Sequence, residues 1–371
     1  MDISATYICP ERGLAALEPP EPGGLGRAAR VAAGLGVKRL VFPVLEEPLM
    51  KSGRTATAYL DGLAQALDQA EAARLKAWLI APARRVLGLD WVPPCLARGG
   101  RDPRAGLVFL ERRLRNVWPY PWWEDVSVIQ RRITVFRELV GAVAGHPALT
   151  GWILMDRSLE WARPDPGAAR LALLSYTAEI REKDERGTIG LGLGWSELLD
   201  PEMARSLAGQ VDRLLLSGLD TPPAPLKGSE GLVGELLVAA YLGSLCQWLF
   251  GQAVEVEAGW AMPGRREDPE AVMAAFEKAA RQGLDAIRWV SLIDPKPSLC
   301  AHPPWVLRRG LERTGLLDPW GEPKENVESW FRGAQSLEPM QETHDFIDIS
   351  PEEYLDDPQT HFTRLWNHFR D

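Results

Sequence analysis

Residues 131–155 read RRITVFRELVGAVAGHPALTGWILM, and the grammar of the whole chain is contained in them. Ile133, Phe136, Val140 and Val143 recur at the spacing of three and four that places side chains on one helical face. Gly145 stands where such a helix ends, because glycine accepts the left-handed backbone that closes one. After His146 and Pro147 the pattern changes to LTGWILM, a run from Leu149 to Met155 that is apolar but for Thr150 and has the length of a strand buried on both faces. A helix feeding a doubly buried strand is the repeating unit of a parallel α/β sheet.

Seven more β-rich runs flank this one. They lie near 3–9 (ISATYIC), 37–44 (VKRLVFPV), 75–81 (LKAWLIA), 187–193 (GTIGLGL), 211–217 (VDRLLLS), 252–257 (QAVEVE) and 284–290 (LDAIRWV). Amphipathic segments of helix length separate most of them, with Asp268–Pro269 as a helix start and Gly34 and Gly283 as helix ends. An open sheet would show irregular spacing or a glycine-rich phosphate loop, and GLGLGW from Gly190 misses the GxGxxG spacing. It reads instead as a strand with close packing. Eight units in sequence therefore predict an α/β chain folded as a (β/α)8 TIM barrel, a single domain over 1–335. Two stretches leave the repeat. Residues 82–124, with Trp91, Trp118, Trp122 and Trp123, form a long loop after strand three that should wall one side of the barrel mouth. Residues 336–371 form an acidic C-terminal tail expected to pack on the outside of the barrel or to fray.

The 371 residues are 46% hydrophobic and 25% charged, enough to bury a large core. A net charge of −9 leaves no electrostatic footprint for a phosphate backbone or an anionic membrane, so neither nucleic acid nor membrane is expected as a partner. The first residues, MDISATYICPERG, lack a basic start followed by an apolar run, and the expected location is cytoplasmic. Cys9, Cys95, Cys246 and Cys300 are far apart, without a CxxC pair. His146, His302, His344, His361 and His368 all miss the predicted strand ends, so no metal and no cofactor is expected. The 15 tryptophans suit either a Trp-rich core or a cleft for flat apolar faces such as those of sugars.

Barrel enzymes carry their reacting groups at strand C-termini. Here those positions hold Glu46 and Glu47, Asp156, Arg157 and Glu160, Trp195 and Glu197, Asp220, Glu257 and Trp260, and Trp289 and Asp294. Glu257 closes VEVE ahead of the small residues Ala258 and Gly259, which let a ligand come close, and alternation puts Glu255 on the same side one layer deeper. The pair either has a function or belongs to a buried ionic network with Arg288 or another inward basic residue.

In order and spacing these segments resemble the retaining glycoside hydrolases of the (β/α)8 fold, family five and its cellulase-like relatives, over roughly residues 24–335. RITVFRELVGAVAGHPALTGWILMDRSLEW resembles that family's helix three and strand four, which run to an Asn-Glu pair. QAVEVEAGW resembles the segment ending in the nucleophilic Glu, LDAIRWVSLID the strand with the sugar-platform Trp, and GLLDPWGEPKENVESWF the closing stretch. The resemblance implies Glu257 as nucleophile and Trp289 as platform. The departures are as telling. The Asn-Glu pair falls on Asp156 and Arg157, Val41 replaces a strand-two arginine, and LLLSGLD lacks the usual His or Tyr.

Retaining hydrolysis needs a second carboxyl group, one that gives and then takes a proton, about 5 to 5.5 Å from the nucleophile. Arg157, a guanidinium that stays protonated throughout the range near neutrality, cannot do that. Asp156 or Glu160 could substitute, although Glu160 also reads as a solvated charge paired with Arg163. The leading expectation is a divergent glycoside hydrolase-like protein acting on or binding a β-linked glycan or oligosaccharide, with Glu257, Asp156 and Glu160 as catalytic candidates. Trp289, Trp260, Arg157, Trp195 and Trp91 are the candidates for contacting the sugar. The alternative is a catalytically inactive carbohydrate-binding barrel, and a third reading takes Arg157 as the mark of an anionic substrate such as an acidic sugar.

Overall fold

The structure is a computed structural model. It describes all residues except 12–21, 52, 99–105, 112, 121, 158–163, 222–223, 227–230, 262–267, 309, 339–343 and 371. Eight parallel strands close into a barrel: β1 (Asp2–Thr6), β2 (Arg39–Pro43), β3 (Lys76–Ile80), β4 (Leu149–Leu154), β5 (Thr188–Gly194), β6 (Arg213–Ser217), β7 (Val254–Ala258) and β8 (Ala286–Trp289). Each pairs with its neighbours in sequence, and β8 closes on β1 with Ala286 opposite Asp2 and Trp289 opposite Ala5. The eight runs read from the sequence are these eight strands, so the (β/α)8 expectation holds.

The helical layer consists of α1 (Pro22–Gly34), α2 (Arg54–Ala72), α3 (Val126–Val143), α4 (Pro166–Lys183), α5 (Glu202–Ala208), α6 (Gly231–Phe250), α7 (Pro269–Arg281) and α8 (Val327–Ser336). Their starts follow from local chemistry. Asp125 accepts from the Ser127 and Val128 amides, Asp165 from Gly167 and Ala168, and Asp268 from Glu270, with Pro166 and Pro269 at first helical positions. By length and composition α6 could cross a bilayer, yet 78% of its most apolar window is buried in the protein. It lies between β7, α7 and the C-terminal segment, where helices Pro351–Asp356 and Pro358–Arg370 set Phe362, Trp366 and Phe369 around Tyr241 at ring distances of 5.2 to 5.7 Å.

The lower half of the barrel is filled by charge and aromatic rings rather than by aliphatic layers. Glu255 is buried and accepts from Ser4 Oγ at 2.5 Å and from Arg39 at 2.7 Å, while the Arg39 guanidinium lies 4.4 Å from the Trp78 ring centre. A Cβ on Gly151 would overlap that indole, which is why β4 carries glycine there. Gly190 and Gly192 of β5 give the same room to Leu215 and Asp156. GLGLGW is thus a packing device.

The segment after β3 is ordered where described. It forms short strands at Arg85–Val86, Leu89–Trp91, Ala97–Arg98, Gly106–Leu110 and Arg113–Pro119, arranged in a five-stranded sheet. Its first hairpin turns on two residues, Leu87 and Gly88, both with positive φ (51° and 73°), the geometry of a type I′ turn. The sheet is anchored by Arg132 of α3, which is ion-paired to Glu46 at 2.5 Å and stacked 3.8 Å from the Trp122 ring centre.

Candidate functional site

Alternation along β7 and β8 decides what faces the barrel axis at its C-terminal end. Glu257 and Arg288 sit in register on adjacent strands and both point inward. Arg288 Nη2 donates to Glu257 Oε2 at 2.7 Å, with side-chain exposures of 2% and 13%. Trp260 Nε1 donates to the other oxygen at 3.1 Å. The loop bearing Trp260 is held from α6, where Glu235 accepts the backbone amides of Trp260 (2.9 Å) and Ala261 (2.6 Å). Burial raises the Glu235 pKa to about 7 despite those bonds.

Across the mouth, β4 ends in a backbone that is left-handed at Met155 (φ 56°) and Arg157 (φ 46°), a conformation that costs an L-residue energy. It leaves Asp156 and Arg157 side by side. Asp156 is 3% exposed and accepts from the Arg85 amide at 3.4 Å. Arg157 packs over Gly218 and reaches Asp220 at 3.5 Å, while Arg84 donates to its carbonyl. Asp220 also receives Arg85 at 2.9 Å and stands 3.9 Å from Arg308, whose guanidinium lies over the Trp260 ring. Burial raises the pKa of both Asp156 and Glu257. Arg288 and Arg157 oppose the rise, and the charges of Asp156 and Asp220 add to it at Glu257.

These groups surround a cavity of about 20 Å³, lined by Thr6, Ser217, Asp156, Arg157, Asp220, Glu257, Trp260 and Arg288 and roofed by Arg85 to Gly88 of the hairpin. That is room for one water molecule. The open space lies to one side. A cleft of about 520 Å³ is lined by Trp195, Glu197, Asp200, Met203 and Thr221, and Arg157 is the wall it shares with the closed cavity. Trp195 is half-buried, its Nε1 donating to the Thr221 carbonyl at 2.9 Å.

The structure brings together Glu257, Asp156, Arg157 and Trp260, and sets Trp195 one wall away. It corrects two expectations. Trp289 is 1% exposed and points away from the axis; it packs on Gly259 and Phe331, and its Nε1 donates to the Thr314 carbonyl at 2.8 Å. The inward residue of β8 is Arg288, because one step along a strand exchanges faces. Trp91 is buried against Phe109 inside the inserted sheet and lines a separate small cavity with Glu46 and Arg132. The hairpin does cover the mouth, but the described residues of the mouth cavity include no tryptophan from 82–124. Glu160 lies outside the described residues.

Sequence reading missed Arg85, Arg308 and Glu235. RVLGLDW did carry a signal for the hairpin, an x-Gly pair between alternating residues. Among the described residues one group could gather metal ligands, Asp68, Glu71 and His146. It lies at the helix C-termini, on the face opposite the mouth.

The fold is a closed (β/α)8 barrel with its candidate groups at the strand C-termini, and solved structures share that fold. No family model and no curated protein sequence matches the chain. A family five, subfamily 18 glycoside hydrolase from Streptomyces cattleya, in complex with GlcNAc, aligns at TM-score 0.70 and 15% identity, covering 93% of this chain and 83% of that one. A subfamily 18 variant from Bifidobacterium longum subsp. longum, in complex with Manβ1-4GlcNAc, aligns at 0.68 and 15%, covering 92% and 80%. An exo-β-1,4-mannosidase from an Opitutaceae bacterium aligns at 0.63 and 16%, covering 91% and 59%. At such identities the shared property is the fold.

Proposed function

We propose that this chain is a carbohydrate-binding barrel of glycoside hydrolase ancestry that does not carry out retaining hydrolysis. The observation that carries the reading is the closed space around Glu257. A nucleophile must meet an anomeric carbon, and here its two oxygens are engaged by Arg288 and Trp260 beside room for a single water. A cation, Arg157, stands where the resemblance puts the proton donor. Binding is supported by the cleft with Trp195 at its wall, of a size that fits one or two sugar rings. The ligands of the structural neighbours, GlcNAc and Manβ1-4GlcNAc, suggest a β-linked oligosaccharide. The four unpaired cysteines agree with a cytoplasmic location.

The test is turnover of chromogenic aryl β-mannosides and β-glucosides beside calorimetric binding of the matching oligosaccharides. The reading expects binding without turnover, and Trp195→Ala to weaken it. Turnover that is abolished by Glu257→Gln would overturn it in favour of a divergent hydrolase. That second reading draws on one observation, the place of Glu257 at the end of β7 beside Asp156.

A further inference from the structure

A second open groove adjoins the cleft that carries Trp195. It measures about 590 Å³ and is bounded by Leu199, Pro201, Arg205 and Ser206 on one side and by Leu355 and Pro358 of the C-terminal segment on the other. Asp200 and Glu202 line both spaces, so the turn leading into α5 is the ridge between them. The far wall is fixed by local chemistry. Ser350 and Glu353 cap the helix Pro351–Asp356 reciprocally, and the chain turns at Asp357, which accepts from the Thr360 amide and starts the next helix on Pro358. Tyr354 is buried; its hydroxyl donates to the Leu198 carbonyl at 2.8 Å, and its ring packs 6.0 Å from that of Trp248 on α6. Leu198 ends the turn that begins with Trp195. Cleft and groove thus share one braced wall, and a ligand can lie in both without a prior movement of the chain.

The lining mixes apolar and hydrogen-bonding surface. Leu199, Leu355 and Pro358 are half-buried, while Asp200, Glu202, Arg205 and Ser206 are exposed. A sugar ring offers C–H patches to leucine and proline, and pairs of hydroxyls to carboxylates and a guanidinium fork. A lipid chain would need a continuous apolar strip, which the two carboxylates of the ridge interrupt. We propose that the site is an extended one, in which a linear β-linked oligosaccharide of about three or four rings runs from the Trp195 cleft over Asp200 and Glu202 into the groove beneath Leu355 and Pro358. This rests on the reading of the Trp195 cleft as the carbohydrate site. The two spaces are of similar volume, so a chain filling both is about twice as long as one filling the first alone. The C-terminal segment thereby becomes part of the binding surface.

The experiment is calorimetric titration of the full chain with β-1,4-linked oligomers of mannose, glucose and N-acetylglucosamine, each with two and with four rings. In at least one series the four-ring sugar is expected to bind about tenfold or more tightly than the two-ring sugar. Leu355→Asp, which sets a charge against the ring faces, is expected to bring four-ring affinity down to the two-ring value. Arg205→Ala, at an exposed position that should fold normally, is expected to remove part of the gain and decides the matter if the Leu355 variant does not fold. Equal affinity for two and four rings overturns the extended site and leaves the carbohydrate reading standing. A gain that survives both substitutions also overturns it, because the chain then continues in another direction. Binding of no sugar in any series overturns both readings.

Discussion

Replacing Glu257 by leucine removes the only acceptor that Arg288 has among the described residues while leaving the guanidinium buried. Breaking a buried pair from one side costs about 3–5 kcal/mol, because the guanidinium loses its hydrogen-bonding carboxylate while staying buried. Against a domain stability of about 5–15 kcal/mol this is a large fraction, and urea unfolding resolves it easily. The reverse single change, Arg288→Met, strands Glu257 less severely, since Trp260 Nε1 still donates to it and its raised pKa lets it take a proton. The double variant replaces the pair by apolar side chains of similar length and should recover much of the loss, with a coupling of about 1–3 kcal/mol between the sites. Three unfolding curves and the wild type complete the cycle. If Glu257→Leu alone stays within about 0.5 kcal/mol of wild type, the pair is solvated and the closed mouth is wrong.

Three further outcomes follow from the same geometry. Glu235 has a folded-state pKa raised from 4.5 to about 7, so its contribution is full below about pH 4.5 and is lost as pH rises through about 7. Glu235→Gln mimics the protonated form, and relative to it the wild type should lose about 3 kcal/mol over that interval in pH-dependent urea unfolding. Gly259→Ala places a Cβ into the Trp289 indole at a φ of 96°, and a loss of more than about 2 kcal/mol with altered tryptophan fluorescence is expected. Arg132→Met strands the buried Glu46 carboxylate and removes the stack on Trp122. It should cost about 3 kcal/mol and raise hydrogen exchange in the 85–119 strands, measurable by mass spectrometry.

The barrel was legible because each strand is announced by an apolar run and several helices by a cap, signals that are local. The inward face of β7 was legible too, since Glu255 and Glu257 are two residues apart and alternation does the rest. On β8 the same logic was available and was displaced by the resemblance, which favoured Trp289. Its neighbour Arg288 proved to be the residue that faces the axis. What sequence could not supply was the closure. Whether the mouth is open depends on where a hairpin 70 residues upstream of Arg157 comes to rest, and that is fixed by Arg85 meeting Asp156 and Asp220, contacts with no local signature. Trp91 illustrates the same limit, because a tryptophan in a loop over a barrel can face the cleft or the loop's own core, and it packs on Phe109.

Whether a sugar can reach Glu257 at all separates a binding barrel from a hydrolase. The most direct test is the intact mass of the protein after incubation with an activated aryl fluoroglycoside, whose departing group needs little proton donation and whose glycosyl-enzyme is long-lived. A sealed, ion-paired Glu257 predicts an unchanged mass for wild type and Glu257→Gln alike. A stoichiometric gain of one fluorosugar on the wild type, absent from Glu257→Gln, would contradict it and restore Glu257 as a working nucleophile.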